Sequence, residues 1–215
     1  MFESRLVDAR ALKREAAALR NLGELEPALT TIKQAIQQLD TMRGEPQIPD
    51  VLARVVRGEL ADAFGIKGGI LRRMNELKGA SDAYEEGRKI EDQDEESTYN
   101  LLNVITLAII QGRSPTDPGI RADIQKAVRR LTNTQSARKD EWWAWADLAE
   151  SWLLLNEPSM ARAAYSSGRR TGVAAQQVKR HVEILRELSD KSAKTAPEIS
   201  QTIRAAIIEL EGWTA

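Results

Sequence analysis

WADLAESWLLLNEPSMARAAYSSG, Trp145 to Gly168, carries the pattern that decides the fold. Trp145, Leu148, Ala149, Trp152, Asn156, Ala161, Tyr165 and Gly168 stand at offsets 0, 3, 4, 7, 11, 16, 20 and 23. Offsets 0 and 7 share one face of a helix, which predicts Trp145 and Trp152 as core residues. A small residue at offset 16 lets a second helix approach, and an aromatic at offset 20 fills the space between the two. The spacing is that of a helical hairpin repeat.

Two further stretches carry the same offsets. Phe64, Lys67, Gly68, Leu71, Asn75, Ala80, Tyr84 and Gly87 form one; Leu12, Glu15, Ala16, Leu19, Gly23, Ala28, Ile32 and Ala35 form the other, with Ile in place of the aromatic. The turns agree as well: Leu22-Gly23-Glu24, Met74-Asn75-Glu76 and Leu155-Asn156-Glu157. Gly and Asn suit the left-handed residue that ends a helix, and the Glu then falls near the positive start of the next.

Composition sets the class. The 215 residues are 42% hydrophobic and 29% charged, enough for one substantial domain or an array of about five hairpins. A net charge of -1 argues against bulk attraction to nucleic acid or anionic membrane. The absence of cysteine excludes disulfides, thiol catalysis and Cys-ligated zinc. The start Met-Phe-Glu-Ser-Arg has no apolar signal core, and apolar runs such as Ile105 to Ile110 are too short to span a bilayer, so a cytoplasmic protein is expected.

Around the pattern, the first hairpin is expected over 1–42, with Ser4 as a helix cap. A linker at 43–50 follows, where Gly44, Pro46 and Pro49 cannot sit inside a helix. The main array is expected over 51–188. Gly65, Gly68 and Gly69 each cost about 1 kcal/mol of helix propensity there, which calls for close helix packing or a ligand against that face. No G-x-x-x-x-G-K-[ST] loop accompanies them. Glu91 to Glu96 holds five carboxylates in six residues and reads as a solvated corner. Thr98 to Gln111 is apolar nearly all round and reads as a helix buried on both sides. From 120 to 131 a basic amphipathic helix should point Ile120, Ile124, Ala127, Val128 and Leu131 inward and Arg121, Lys126, Arg129 and Arg130 outward. A helix over about 174–188, a polar linker at 189–196 and a final helix at 197–212 close the chain. In the last, Ile199, Ile203, Ile207 and Leu210 share a stripe that caps the array, or docks on a partner or a second copy.

These residues resemble the tetratricopeptide repeat superfamily. Over 51–188, Ala83 to Gly87, Tyr99 to Leu107 and Trp143 to Asn156 are similar to successive blocks of the TRAF-binding-region-like domain of apoptosis signal-regulating kinases and bacterial signalling proteins. The resemblance implies a single all-α domain over 1–215, a right-handed superhelix of about ten helices in stacked hairpins. It also implies a protein-binding adaptor or scaffold, with no catalysis and no cofactor, in a bacterial signalling, stress or defence assembly. The Lys/Asn/Arg clamp of repeats that hold a C-terminal carboxylate is not reproduced. Lys13 and Ala17, Gly65 and Gly69, and Ala146 and Glu150 stand at those positions.

Partner binding is therefore expected on the concave surface of the first helices, with Lys13, Arg20, Arg72, Arg73, Trp143 and Glu150 as candidates; Trp143 is offset toward the groove, where exposed tryptophans serve as anchors. Two other readings remain: a small-ligand or peptide sensor around Gly65 and Gly69, and a nucleic-acid-associated subunit using helix 120–131. Arg72-Arg73, Arg129-Arg130 and Arg169-Arg170 near helix ends also suit the helix dipole without any ligand. His181, the only histidine, lacks a Ser, Asp or metal-ligand constellation and is expected at the surface. Metal ligation is not expected.

Overall fold

The computed structural model describes residues 2–94, 97–135 and 137–214; Glu95 and Glu96 of the acidic run lie outside them. The described residues form ten helices and no strand: α1 (Phe2–Leu22), α2 (Leu25–Arg43), α3 (Asp50–Arg73), α4 (Leu77–Asp94), α5 (Tyr99–Ile110), α6 (Pro118–Thr134), α7 (Trp142–Leu154), α8 (Pro158–Arg169), α9 (Ala175–Ser192) and α10 (Pro197–Glu211). The chain forms two compact units, residues 1–104 and 105–215, with the boundary inside α5. Among the described residues no helix is long and apolar enough to cross a membrane.

The three expected hairpins are α1/α2, α3/α4 and α7/α8, and they close in the same way. Gly23, Asn75 and Asn156 adopt positive φ values of 86°, 63° and 62°. The amide of the following Glu then reaches back five residues: Glu24 N to Leu19 O at 3.0 Å, Glu76 N to Leu71 O at 2.9 Å and Glu157 N to Trp152 O at 2.9 Å. This left-handed closure satisfies carbonyls that the helix end leaves open. Each Glu carbonyl next accepts from the small alanine four residues on, Ala28, Ala80 or Ala161, opening the second helix. Glu24 and Glu157 stand at the cap position without a side-chain cap bond, so their carboxylates act through the dipole.

Burial follows the pattern at its small positions and departs from it at the large ones. Ala28, Ala80 and Ala161, and Ile32, Tyr84 and Tyr165, are all within 2% of full burial. Gly68 and Gly87 are buried too: a Cβ at Gly68 would stand 2.5 Å from the Tyr84 ring, and one at Gly87 2.4 Å from Asn100. Close packing thus accounts for these two. Trp145 and Trp152, expected in the core, are only half-buried, as are Phe64 and Leu12 at offset 0. The fully buried position lies three residues earlier, at Ala9, Ala61 and Trp142. The first helix of each hairpin is buried along offsets -3, 1 and 4, with offset 0 on the shoulder.

Other boundaries shift for local reasons. α1 starts at Phe2, so Ser4 lies inside it and is no cap. α4 continues to Asp94, which turns the first half of the acidic run into helix and buries Glu91. α5 is buried or half-buried everywhere except Tyr99, as its all-round apolar sequence requires. The side chain of Asp117 caps α6 by accepting from Gly119 N at 3.0 Å and Ile120 N at 3.5 Å, and Pro118 takes the first turn. The five apolar residues of α6 point inward as expected, whereas Arg130, expected outward, is 5% exposed. α9 runs on to Ser192, so the polar linker is shorter than its composition suggests; Ser189 and Ser200 lock α9 to α10, Ser200 Oγ donating to Ser189 O at 2.9 Å. The α10 stripe of Ile199, Ile203, Ile207 and Leu210 is buried, and α10 packs on α7, α8 and α9.

Candidate functional site

In the first unit, Lys13 does not offer a free ammonium. It is 6% exposed and lies between the carboxylates of Glu59 and Asp62, the latter at 2.5 Å, while Arg10 Nε donates to Glu59 at 2.6 Å. Burial opposes ionisation of Glu59, but these two cations outweigh it and hold the carboxyl below its usual range. Lys13 ties α1 to α3 and is part of the fold.

Arg20, Arg72 and Arg73 come together. Arg20 ends α1, Arg72 and Arg73 end α3, and Arg73 Nη1 donates to the Arg20 carbonyl at 2.6 Å. Gly69, one turn before Arg73, leaves room for the Arg20 guanidinium against α3. A Cβ there would stand 3.3 Å from Arg20 Nη1 and 3.7 Å from the Tyr84 hydroxyl. Burial pushes that hydroxyl's pKa well above its ordinary value, with Tyr99 adding to the effect and Arg72 and Arg20 opposing it. The Tyr84 hydroxyl therefore keeps its proton. Gly65, the other glycine of the expected groove, has no such opening: a Cβ would meet the Tyr99 ring at 2.4 Å.

The same unit holds a polar knot that its acidic sequence disguised. Glu91, 4% exposed, accepts from Ser97 Oγ at 2.9 Å, from Asn100 N and Nδ2 at 3.0 Å each, and from Leu101 N at 3.3 Å. Asn100 Nδ2 also donates to the Ala61 carbonyl of α3 at 2.9 Å. A carboxylate from α4 thus caps the start of α5, where free amides and the helix dipole favour negative charge. The solvated corner is corrected accordingly at Glu91. Nearby, Arg57 grips Asp94 through two bonds of 2.9 and 2.7 Å, which lowers the Asp94 pKa.

In the second unit the candidates Trp143 and Glu150 both face His181. The Trp143 ring is half-buried with its centroid 6.5 Å from the imidazole, and Glu150 Oε2 lies 3.9 Å from Nδ1. Neither is an open anchor. His181, expected at the surface, is 1% exposed, and its Nε2 is 2.8 Å from the Tyr165 hydroxyl. Assigning the single ring proton of the neutral imidazole to Nδ1, toward Glu150, leaves Nε2 to accept from the Tyr165 hydroxyl. Burial pulls the His181 pKa down to about 4, so the imidazole is neutral at pH 7. Trp142 stacks on Tyr165 at 6.3 Å and meets His181 and Trp213 edge-on, each at 6.2 Å. On the same helix, burial raises the Asp147 pKa to about 7 against the pull of Arg138.

A signal for His181 was present in the sequence. Val178, His181, Leu185 and Leu188 form one helical stripe, and all four are buried. Asn100 was signalled too, as a polar residue inside an otherwise apolar helix. Among the described residues no three His, Asp or Glu side chains gather as metal ligands. The chain matches no protein-family model, and no curated protein matches it.

Proposed function

We propose that this chain is a tetratricopeptide-like scaffold, its hairpins stacked as a right-handed superhelix, that holds a protein partner. We place it as an adaptor or regulatory subunit, working without catalysis or cofactor, in a bacterial signalling, stress or defence assembly in the cytoplasm. The observation that carries this reading is the threefold recurrence of one hairpin, with the same left-handed turn and the same buried small residue after it. Such units distribute contacts along an extended surface and serve as platforms. The step from repeat to partner binding is one of architectural analogy, and so are the bacterial setting and the likeness to the TRAF-binding-region-like domain.

Of the six candidates, Lys13, Trp143 and Glu150 are engaged inside the fold, so we assign partner contact to Arg20 and Arg73. The sensor reading loses Gly65 to the Tyr99 ring. The nucleic-acid reading loses Arg130 from the outer face of α6. A tagged pull-down from the native host, wild type against Arg20→Glu with Arg73→Glu, tests the proposal. One stoichiometric protein that is lost from the double variant is expected. A chain that elutes alone overturns the scaffold reading.

A further inference from the structure

Four glycines of α3 and α4, at 65, 68, 69 and 87, would each be improved as helix formers by replacement with Ala. Three are required by packing: a Cβ at Gly65, Gly68 or Gly87 would stand 2.4–2.5 Å from the Tyr99 ring, the Tyr84 ring or Asn100. Gly69 is different. Its nearest neighbour is the tip of a flexible side chain, Arg20 Nη1 at 3.3 Å, and the next is the Tyr84 hydroxyl at 3.7 Å. No packed group demands glycine there, yet the position borders two donors.

The charges point the same way. In this unit Arg5, Arg10 and Arg57 each meet a carboxylate, Glu45, Glu59 and Asp94 respectively. Among the described residues no carboxylate pairs with Arg20 or Arg73. Arg20 Nε is buried without an acceptor, a state that ordinarily costs stability unless something supplies one. The carbonyl ends of α1 and α3 disfavour an anion, but Arg73 covers the Arg20 carbonyl, and two guanidinium groups exceed the fractional charge of the helix ends.

We propose that the notch over Gly69, bounded by Arg20, Arg73 and the Tyr84 hydroxyl, is an oxyanion site that receives a carboxylate or phosphate group borne by the protein partner. Guanidinium groups bind both oxyanions through paired N–H donors, and the missing Cβ leaves room for the Arg20 guanidinium against α3. The inference rests on the scaffold reading for the source of the anion; the site itself can be tested without any partner.

The test follows the arginine Nε–Hε resonances of the full chain during titration with inorganic phosphate and, separately, with acetate, at ionic strength held constant with sodium chloride. Saturable shifts at Arg20 and Arg73 are expected with at least one probe, and the stronger probe identifies the group. The midpoint should rise at least tenfold in Arg20→Gln and stay unchanged in Arg121→Gln, a control in the other unit. Gly69→Ala should raise the thermal midpoint while weakening the anion. Shifts that do not saturate, or that Arg20→Gln leaves intact, overturn the site, and so does a Gly69→Ala chain that binds as well as wild type. If the anion binds but the pull-down yields no protein, the site stands and the scaffold reading falls. If a partner is captured equally by wild type and the double arginine variant, the scaffold stands and its use of this notch falls.

Discussion

In the α3/α4 hairpin the closing glycine, Gly87, lies under Asn100 of the following helix; in α7/α8 the matching Gly168 lies under Trp142 of its own first helix, with a Cβ 2.8 Å from that ring. Trp142 occupies the position that is Ala61 in the other hairpin, and Asn100 Nδ2 binds the Ala61 carbonyl. Both hairpins therefore keep a glycine for a close neighbour, and they fill the space by different chemistry. In the first unit it is a carboxylate and amide network around Glu91. The second unit uses an aromatic cluster, in which the buried Trp142 Nε1 has no acceptor, so Trp142 contributes by area and packing rather than by hydrogen bonding. The turn and the small residues set the helix separation, and what is inserted there is a separate choice.

The largest test of that contrast is truncation. Trp142→Ala should destabilise the chain by about 3–5 kcal/mol, whereas Trp152→Ala, at a half-buried position, should cost only about 1–2 kcal/mol. Urea unfolding measures both. Equal losses would mean that the core lies where the repeat offsets alone place it.

Next comes pH. His181 is depressed from 6.5 to about 4, so the stability from its neutral form is complete above pH 6.5 and is lost as pH falls toward 4. The full loss is about 3 kcal/mol. Asp147, raised from 3.8 to about 7, runs the other way: stability is lost as pH rises from 3.8 to 7, and acid restores it. As pH is lowered from 7.5 to 4, unfolding midpoints should fall relative to wild type in Asp147→Asn and rise relative to wild type in His181→Gln. Identical profiles in all three would remove the buried imidazole from the account of the second unit.

Smaller effects separate the glycines. Gly87→Ala and Gly168→Ala should each cost about 1–3 kcal/mol through overpacking. The smallest effect has the opposite sign. A Cβ at Gly58, within α3, would find nothing within 4 Å, so Gly58→Ala should stabilise by about 0.5–1 kcal/mol. Thermal melts of the three variants would sharpen the comparison. A destabilising Gly58→Ala would show that helix propensity is not the governing quantity at open glycines.

Local sequence was enough for the helical class, the hairpin turns at Gly23, Asn75 and Asn156, the buried small residues that follow them and the inward stripes of α6 and α10. Each depends on backbone preference or on a period of 3.6 residues, and both act over one or two turns. The convergence of Arg20 with Arg73 was by contrast decided by the packing of α1 on α3. Tertiary structure decided which side of each first helix faces its partner, and so exchanged Trp145 for Trp142 as the buried tryptophan. It also drew Glu91, Lys13, Glu150, Arg130 and His181 inside. Charge and polarity assign such residues to the surface, and only a partner from another helix, such as Asn100 for Glu91 or Tyr165 for His181, offsets the cost of their burial.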